Sequence, residues 1–457
     1  MTTSNIGEID PVVCGRIWTS AVTRQALLRV CEDIGPHLAG SPGMAAAVDC
    51  VQAIMRDCGA RRLWTEPVAL TTWQRGNAAL EVGGKTFDQT QALQFLLTDP
   101  ADIRGPLIDA GAGNAAQIKA LGDAAAGAIL LAREIHGPTS KRMPGEMSAA
   151  ALAAGAVGAI TVASETMGLP MSGMDRGMDR ATDGGTFPVI GVSRTLATCL
   201  SRAAAGRDTV RLVGDGYCVD GTCQNIVAEL GPEGAPIVII SAHLDGYDIS
   251  PSASDNMTGI CCMLEMLNAL APFEEQFKRR LRVIAFTGEE LGFLGSRAYV
   301  EQHIDELDDI MFQFNMDSLF DQTAKGVAMF WCRPAIAYMQ SLFADADRPV
   351  TVVDMLGMSS DYVPFELQGI PTARPAMLSG AFPTYHHTPG DTVDKVQPEE
   401  IKRNAMGFAQ MVLRLLLTDE PFPATRLTRD EIIAEMHRWH CYEQWQSCGY
   451  LSMLREQ

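Results

Sequence analysis

The sequence predicts an α/β protein, a doubly wound mixed sheet interrupted by a β-rich insert, on three observations. Short apolar runs of strand length, Ile237-Val238-Ile239-Ile240, Leu281-Arg282-Val283-Ile284-Ala285-Phe286 and Met311-Phe312-Gln313-Phe314, alternate with helical stretches such as Met257 to Leu270. That alternation is expected of strands joined by crossover helices. Each run leads directly to a histidine or an acid, at His243, Glu289 and Asp317. Open α/β sheets bind their ligands at such carboxyl ends of strands. Finally, from about Asp99 to Asp215 the chain turns rich in alanine and glycine, with repeated short β runs.

The elements follow in order. Ser41 and Pro42 form a helix start, the hydroxyl as cap and the proline at the first helical position. Ala45 to Cys58 carries an apolar face through Val48, Val51, Ile54 and Met55, and Gly59 ends it. Ala78 to Thr86 contains Gly83-Gly84, a hairpin turn. Gly84-Lys85-Thr86 is no phosphate loop, because the position five before Gly84 is Ala79, where that loop needs glycine. Gly127 to Ala132 and Gly158 to Ala163 read as buried strands with an alanine-rich helix, Ser148 to Ala154, between them. Phe187 to Ser193 follows. Met167 to Gly185, with four methionines and five glycines, reads as a mobile loop. Helical spacing recurs at Glu399 to Leu417, and Pro421 to Pro423 breaks the chain before a last helix, Arg429 to about Gln446. His437 and His440 lie three apart on that helix. With Trp439, Tyr442 and Trp445 they suggest a packing surface, on the chain's own core or on a second copy in a homodimer.

At 457 residues the chain suggests two or three domains, and 47% hydrophobic residues allow a large core. No stretch approaches the ~18–20 apolar residues of a membrane span. Lys+Arg of 36 against Asp+Glu of 55 gives −19, which argues against nucleic acid or an anionic membrane as partner. Met1 to Val13 carries Glu8 and Asp10 and lacks the basic and apolar regions of a signal peptide, so a cytoplasmic location is expected. The 12 cysteines then read as reduced thiols, with Cys218 and Cys223, bracketing a turn, the pair to check.

Five fragments carry the chemistry: His243-Leu244-Asp245, Ser254-Asp255-Asn256, Gly288-Glu289-Glu290-Leu291-Gly292, Asn315-Met316-Asp317 and His387-Thr388-Pro389-Gly390-Asp391-Thr392. Two imidazoles, several aspartates and a glutamate pair are what two divalent ions about 3.5–4 Å apart need. Each ion takes one neutral imidazole, one carboxylate bridges the pair, and one more carboxylate per ion leaves a position for water. No serine or cysteine nucleophile competes, since Gly191-Val192-Ser193 is followed by Arg194 and makes no nucleophile elbow.

In that order the fragments resemble the co-catalytic di-zinc aminopeptidases and the glutamate carboxypeptidase family, closest to its plasma-type dipeptidase branch. Further matches are Gly295-Ser296, Ser360-Asp361-Tyr362-Val363-Pro364-Phe365 and Gly369-Ile370-Pro371, with a weaker one at Leu38-Ala39-Gly40-Ser41-Pro42-Gly43. One departure is Tyr362, where many relatives carry histidine; it bears on the pocket more than on catalysis. The resemblance implies the zinc peptidase fold. The catalytic domain would be discontinuous over 1–98 and 216–420, around a protease-associated-like insert at 99–215, with a helical tail at 421–457. It also implies two Zn2+ per chain. Asp255 would bridge them through a cis Asp255–Asn256 peptide, His243 and Asp317 would complete one shell, and Glu290 and His387 the other. Glu289 would be the general base that takes the proton of the attacking water and returns it to the leaving amine. Asp245 would accept the other ring N–H of a ligand histidine, and Tyr385 would be the neighbouring donor for the oxyanion. Since these ligands lie outside 99–215, the insert is expected to affect substrate binding and not metal binding.

Specificity is less determined. The expected substrate is a short peptide or amino-acid amide, cleaved by an aminopeptidase or dipeptidase. Arg374 and Arg297 are the residues able to clamp a carboxylate instead. Hydrolysis of N-acyl or otherwise conjugated amino acids on the same site is the alternative, and a metal-free binding module is the non-enzymatic one.

Overall fold

Ile237–His243 is buried at every position, and so is Arg280–Phe286, as expected of strands covered on both faces. Their side chains divide by the two-residue period of a strand. Val238, Ile240 and Ala242 pack with the helices Met257–Leu270 and Pro398–Leu417, whereas Ile237 and Ile239 pack with Tyr299, Val300 and Phe365 on the opposite face. The sheet is therefore doubly wound. The computed structural model describes residues 6–133, 145–163, 167–175, 187–317, 319, 324–343, 350–376, 383–447 and 449–454.

From edge to edge the first sheet runs Arg62–Gln74, Tyr217–Leu230, Arg280–Phe286, Ile237–His243, Ile310–Asn315, Thr372–Ala376, Gly326–Phe330 and Thr351–Asp354. Ile237–His243 is parallel to both neighbours, with His243 level with Phe286 and Ser241 level with Asn315. Three chain segments thus leave the sheet at the same edge, where a site can be assembled. Helix starts also follow their local chemistry. The Ser41 side chain accepts from Met44 N at the head of Pro42–Asp57, and Asn256 does the same for Gly259 N ahead of Met257–Leu270.

Arg62–Gln74 and Tyr217–Leu230 form an antiparallel ribbon paired from Arg62↔Glu229 to Gln74↔Tyr217. This ribbon carries a second eight-stranded sheet, ordered Lys85–Phe87, Ala78–Val82, Thr209–Gly214, Ala101–Asp109, Ile129–Arg133, Gly158–Val162, Val189–Val192 and Ala92–Gln94. The unit starts at Ala78, not at the expected residue 99, because Ala78 pairs with Gly214 and Leu80 with Leu212. Alanine and glycine enrichment begins later than the sheet does, and pairing, not composition, sets the boundary. Gly83-Gly84 make the hairpin turn, both at positive φ.

Two other readings change. In the Met167–Gly185 segment, residues 176–185 lie outside the described residues, but Met171 and Ser172 are buried and Leu96 N donates to Gly173 O at 2.9 Å. Residues 169–175 are therefore packed. The last helix is broken into Arg429–Arg438 and Tyr442–Ser447, with His440 at φ 55° between them, so His437 and His440 do not share one helix. Trp445, wholly buried with Trp331 and Tyr450, seats the tail on the chain's own aromatic cluster. Every described cysteine is a free thiol, Cys218 and Cys223 included. Among the described residues no helix is long and apolar enough to cross a membrane.

Burying Arg282 in a central strand requires partners. Its guanidinium donates to Glu229 Oε2, to the Tyr299 hydroxyl at 2.7 Å and to Glu306 Oε2 at 2.8 Å, and His303 bridges Glu306 and Glu66. Burial works against the Glu306 carboxylate, but Arg282 and His303 outweigh it and hold the carboxyl down at about 2, against an ordinary 4.5. A group that binds fewer protons folded than unfolded stabilises the fold above its unfolded pKa. That contribution is lost as pH falls through 4.5 toward 2. The stability difference between wild type and Glu306→Gln, from urea unfolding, should be steady near pH ~5 and shrink as pH drops toward ~3. A difference that grows on acidification would contradict this linkage.

Candidate metal centre

His243 is the last residue of its strand, Glu289 and Glu290 follow Phe286 by a tight turn at Gly288, and Asp317 lies two past Asn315. The turn before the Pro398–Leu417 helix brings His386 and His387 over them. Asp255 stands at the centre, at a cis Asp255–Asn256 bond just before a helix start. Its two oxygens face different partners. Oδ1 lies 3.3 Å from His243 Nε2, which is itself 3.8 Å from Asp317 Oδ1. Oδ2 lies 3.4 Å from His387 Nε2, which is 3.4 Å from Glu290 Oε2. One carboxylate is thus shared between two half-sites, each with an imidazole and a further acid. That is the donor pattern of a bridged pair of cations.

Over residues 225–412 the chain matches the model of Peptidase family M28. It is 24% identical to carboxypeptidase Q of Bos taurus over 88% of this chain and 86% of that one. To aminopeptidase YwaD of Bacillus subtilis (strain 168) it is 30% identical, over 40% of this chain and 42% of the relative. The fold matches that of a peptidase M28 precursor from Shewanella amazonensis, with TM-score 0.79 and 21% identity over 93% of this chain and all of that one.

The residues of this chain fit two cations by their own chemistry. His243, Asp255 and Asp317 present donor atoms within 4.8 Å of one another, as do Asp255, His386 and His387, and again His243, Glu289 and Glu290. Glu290 Oε1 is buried without a hydrogen-bond partner, a costly state that a cation would relieve. Burial and mutual repulsion push Glu290 and Glu289 well above the usual carboxylate range. Against its own burial, Asp255 is held well below that range by hydrogen bonds from His243, His386 and His387. Hard oxygen donors with imidazole suit zinc.

Hydrogen bonds from other buried residues fix the donors. Asp245 does not use its carboxylate on the histidine ring: His243 Nδ1 lies 2.9 Å from the Asp245 backbone carbonyl. The carboxylate instead accepts the Glu289 and Glu290 N–H groups at 3.1 and 3.2 Å, tying the glutamate turn to the histidine strand. Asp391 does the same for the shared aspartate, accepting Ser254 N–H at 2.7 Å and Asp255 N–H at 3.0 Å. Below them Asn315 bonds Ser241 and Ser360, and Asp361 accepts from Ser296 Oγ at 2.5 Å.

The sequence reading gave no role to His386, Tyr247 or Asp391. His386 Nδ1 lies 2.9 Å from Asp255 Oδ2, with the ring stacked 3.7 Å from that of His387. It adjoins His387 in sequence, so the signal was present. Tyr247 packs its buried ring 4.1 Å from His387, and burial followed by the charges of Glu290 and Glu289 keeps it a neutral phenol. Tyr385 is buried two residues before His387, and its carbonyl accepts from Thr388 Oγ1. Tyr362, at the departure from the usual histidine, turns its hydroxyl onto its own loop, accepting from Met358 and Ser359 N–H. The charge of Arg374 acts on Tyr362 and on the buried Glu366, while its Nη1 donates to Pro375 O at 3.3 Å; Arg297 sits on the helix Leu294–Gln302.

Asn at position 391 would turn an amide N–H toward one of the two backbone donors it now caps. Outer partners of this kind are worth roughly 10–100-fold in metal affinity. Asp391→Asn should therefore bind zinc about 10–100-fold more weakly in a chelator competition, with its far-UV spectrum unchanged. Wild-type affinity would show that the Asp255 peptide needs no such anchor.

Proposed function

We propose that this chain is a di-zinc exopeptidase, an aminopeptidase or dipeptidase acting on short peptides with a free α-amine. The observation that carries the reading is the division of Asp255 between two half-sites, Oδ1 toward His243 and Asp317, Oδ2 toward His387 and Glu290. One zinc would be held by His243, Asp255 and Asp317, the other by Asp255, Glu290 and His387. Bound there, the ions would supply Lewis acidity and lower the pKa of the attacking water.

The chain's own residues would do the rest. Glu289 holds the proton between attack and amine departure. It suits this because its carboxyl is buried beside other acids and its N–H is fixed by Asp245, so its pKa is lifted from the ordinary range toward the working pH. Glu290 meets His387 directly and serves as ligand. Support for an oxyanion donor rests on position alone: Tyr385 precedes His387 by two, and Tyr247 stands among the carboxylates. The second-sheet unit we read as protease-associated-like, flanking this cleft.

Polarity of the substrate follows from charge. Asp245, Asp255, Glu289, Glu290 and Asp317 are five carboxylates, and two dications offset four of those charges. The residual field favours a cationic amine at the cleaved end. Arg374, whose charge is felt by Glu366 and Tyr362, is the residue that could favour a carboxylate instead.

Two measurements test this. Glu289→Gln should keep both zinc ions while kcat falls by about 10²–10⁴-fold; loss of an ion in this variant would exchange the roles of Glu289 and Glu290. An unblocked dipeptide amide should show a higher kcat/KM than its N-acetylated form. A preference of roughly tenfold for the blocked form, about 1.4 kcal/mol in transition-state terms, would move the reading to an N-acyl amino-acid hydrolase.

A further inference from the structure

The second-sheet unit touches the metal centre through an ordered strap, residues 169–175. Asp175 anchors one end, accepting from Gly145 N, Ser148 N and Ser148 Oγ at 3.1, 2.9 and 2.8 Å. In the middle, Leu96 bridges to Met174, and Leu96 N donates to Gly173 O. The strap runs so close over Val189–Val192 that a Cβ at Gly191 would come within 1.9 Å of Met171 O. Its buried Ser172 then donates a backbone N–H to the carbonyl of His387 at 3.0 Å.

A second connection starts at Arg75, the residue after the ribbon strand that leads into the unit. Arg75 grips Asp248 through Nε–Oδ2 and Nη2–Oδ1, both 2.7 Å, while Nη1 donates to Gln94 O at 2.8 Å and Nη2 reaches Ser172 Oγ at 3.3 Å. Both side chains are less than one-fifth exposed. A two-point guanidinium–carboxylate pair fixes orientation as well as distance. Asp248 immediately follows Tyr247, whose ring lies against His387. The unit therefore reaches His387 from two sides: through Ser172 to its carbonyl, and through Arg75, Asp248 and Tyr247 to its ring.

We propose that the second-sheet unit is part of the metal centre, with Arg75, Asp248 and Ser172 as positioning residues that set the affinity of the ion on the Glu290–His387 side. The proposal rests on the di-zinc reading above, and it runs against the sequence expectation that the insert leaves metal binding alone. The His243–Asp317 side is held within the first sheet, so the two ions should respond differently. A merely structural role would loosen both together or lower the melting temperature without favouring one ion.

The test is zinc titration of the metal-stripped full chain against a chromophoric chelator. Wild type should bind two ions; failure to do so would sink the di-zinc reading itself. Arg75→Ala should weaken one ion by about 10–100-fold, the usual size for an outer partner, and leave the other within about twofold. Arg75→Lys should fall between, since lysine cannot reproduce the two-point grip. Asp248→Asn, nearly isosteric, should act in the same direction and decides the matter if Arg75→Ala fails to fold. In a Glu290→Gln background Arg75→Ala should add nothing, because the ion it acts on is already lost. Arg211→Ala, whose guanidinium pairs with Asp102 and Glu81 inside the second sheet, is the control and should bind both ions as wild type does. Wild-type affinities in both Arg75→Ala and Asp248→Asn, or equal weakening of the two ions, would overturn the proposal.

Discussion

The site depends on keeping several carboxylates together in a buried cleft, and the surrounding structure answers that electrostatic problem. Like charges at this depth repel strongly and lose their hydration, so each acid needs a compensating contact. Asp255 has three imidazoles around it, Asp245 two backbone N–H groups, and Asp391 two more. Glu290 alone keeps a buried oxygen with no partner among these four. Placing fixed donors around the ligand acids and leaving the remaining charge to cations makes metal binding and charge balance the same event.

Double winding explains why the acids meet at one place. Parallel pairing of Ile237–His243 with the strands on either side sends three connections out at one edge, and apolar packing on both faces prevents a register slip. A slip of one residue would send His243 to the opposite face. The buried ion network around Arg282 lies beneath this arrangement, joining the ribbon, a central strand and the helix after the glutamate turn through Glu229, Tyr299 and Glu306.

The ribbon Arg62–Gln74 with Tyr217–Leu230 has a comparable role between the two sheets. It belongs to the first sheet by pairing and delivers the chain into the second. Arg75 stands where it leaves. Two sheets so joined need not act as independent domains, because the strap returns from the second sheet to the carbonyl of His387.

Local patterns in the sequence determined much of the molecule. Apolar runs ending in His243, Glu289 and Asp317 gave the strands and the edge at which they terminate, because period and burial are written in consecutive residues. The Ser41 cap and the Gly83-Gly84 turn were legible for the same reason. His243, Asp255, Glu290, Asp317 and His387 stood in short contiguous motifs, and the structure brings these side chains close together. Only the tertiary structure decided what depends on residues far apart in the chain. Ala78 joins the second sheet because it pairs with Gly214, and no composition window reveals that pairing. Asp245 uses its carbonyl on the histidine and its carboxylate on the glutamate turn, since strand geometry, not residue type, sets which oxygen faces which donor. The last helix breaks at His440 so that Trp445 can reach Trp331. Arg75 and Ser172 had no motif to mark them. Their partners lie 173 and more than 200 residues away, and contacts at that range are fixed by folding alone.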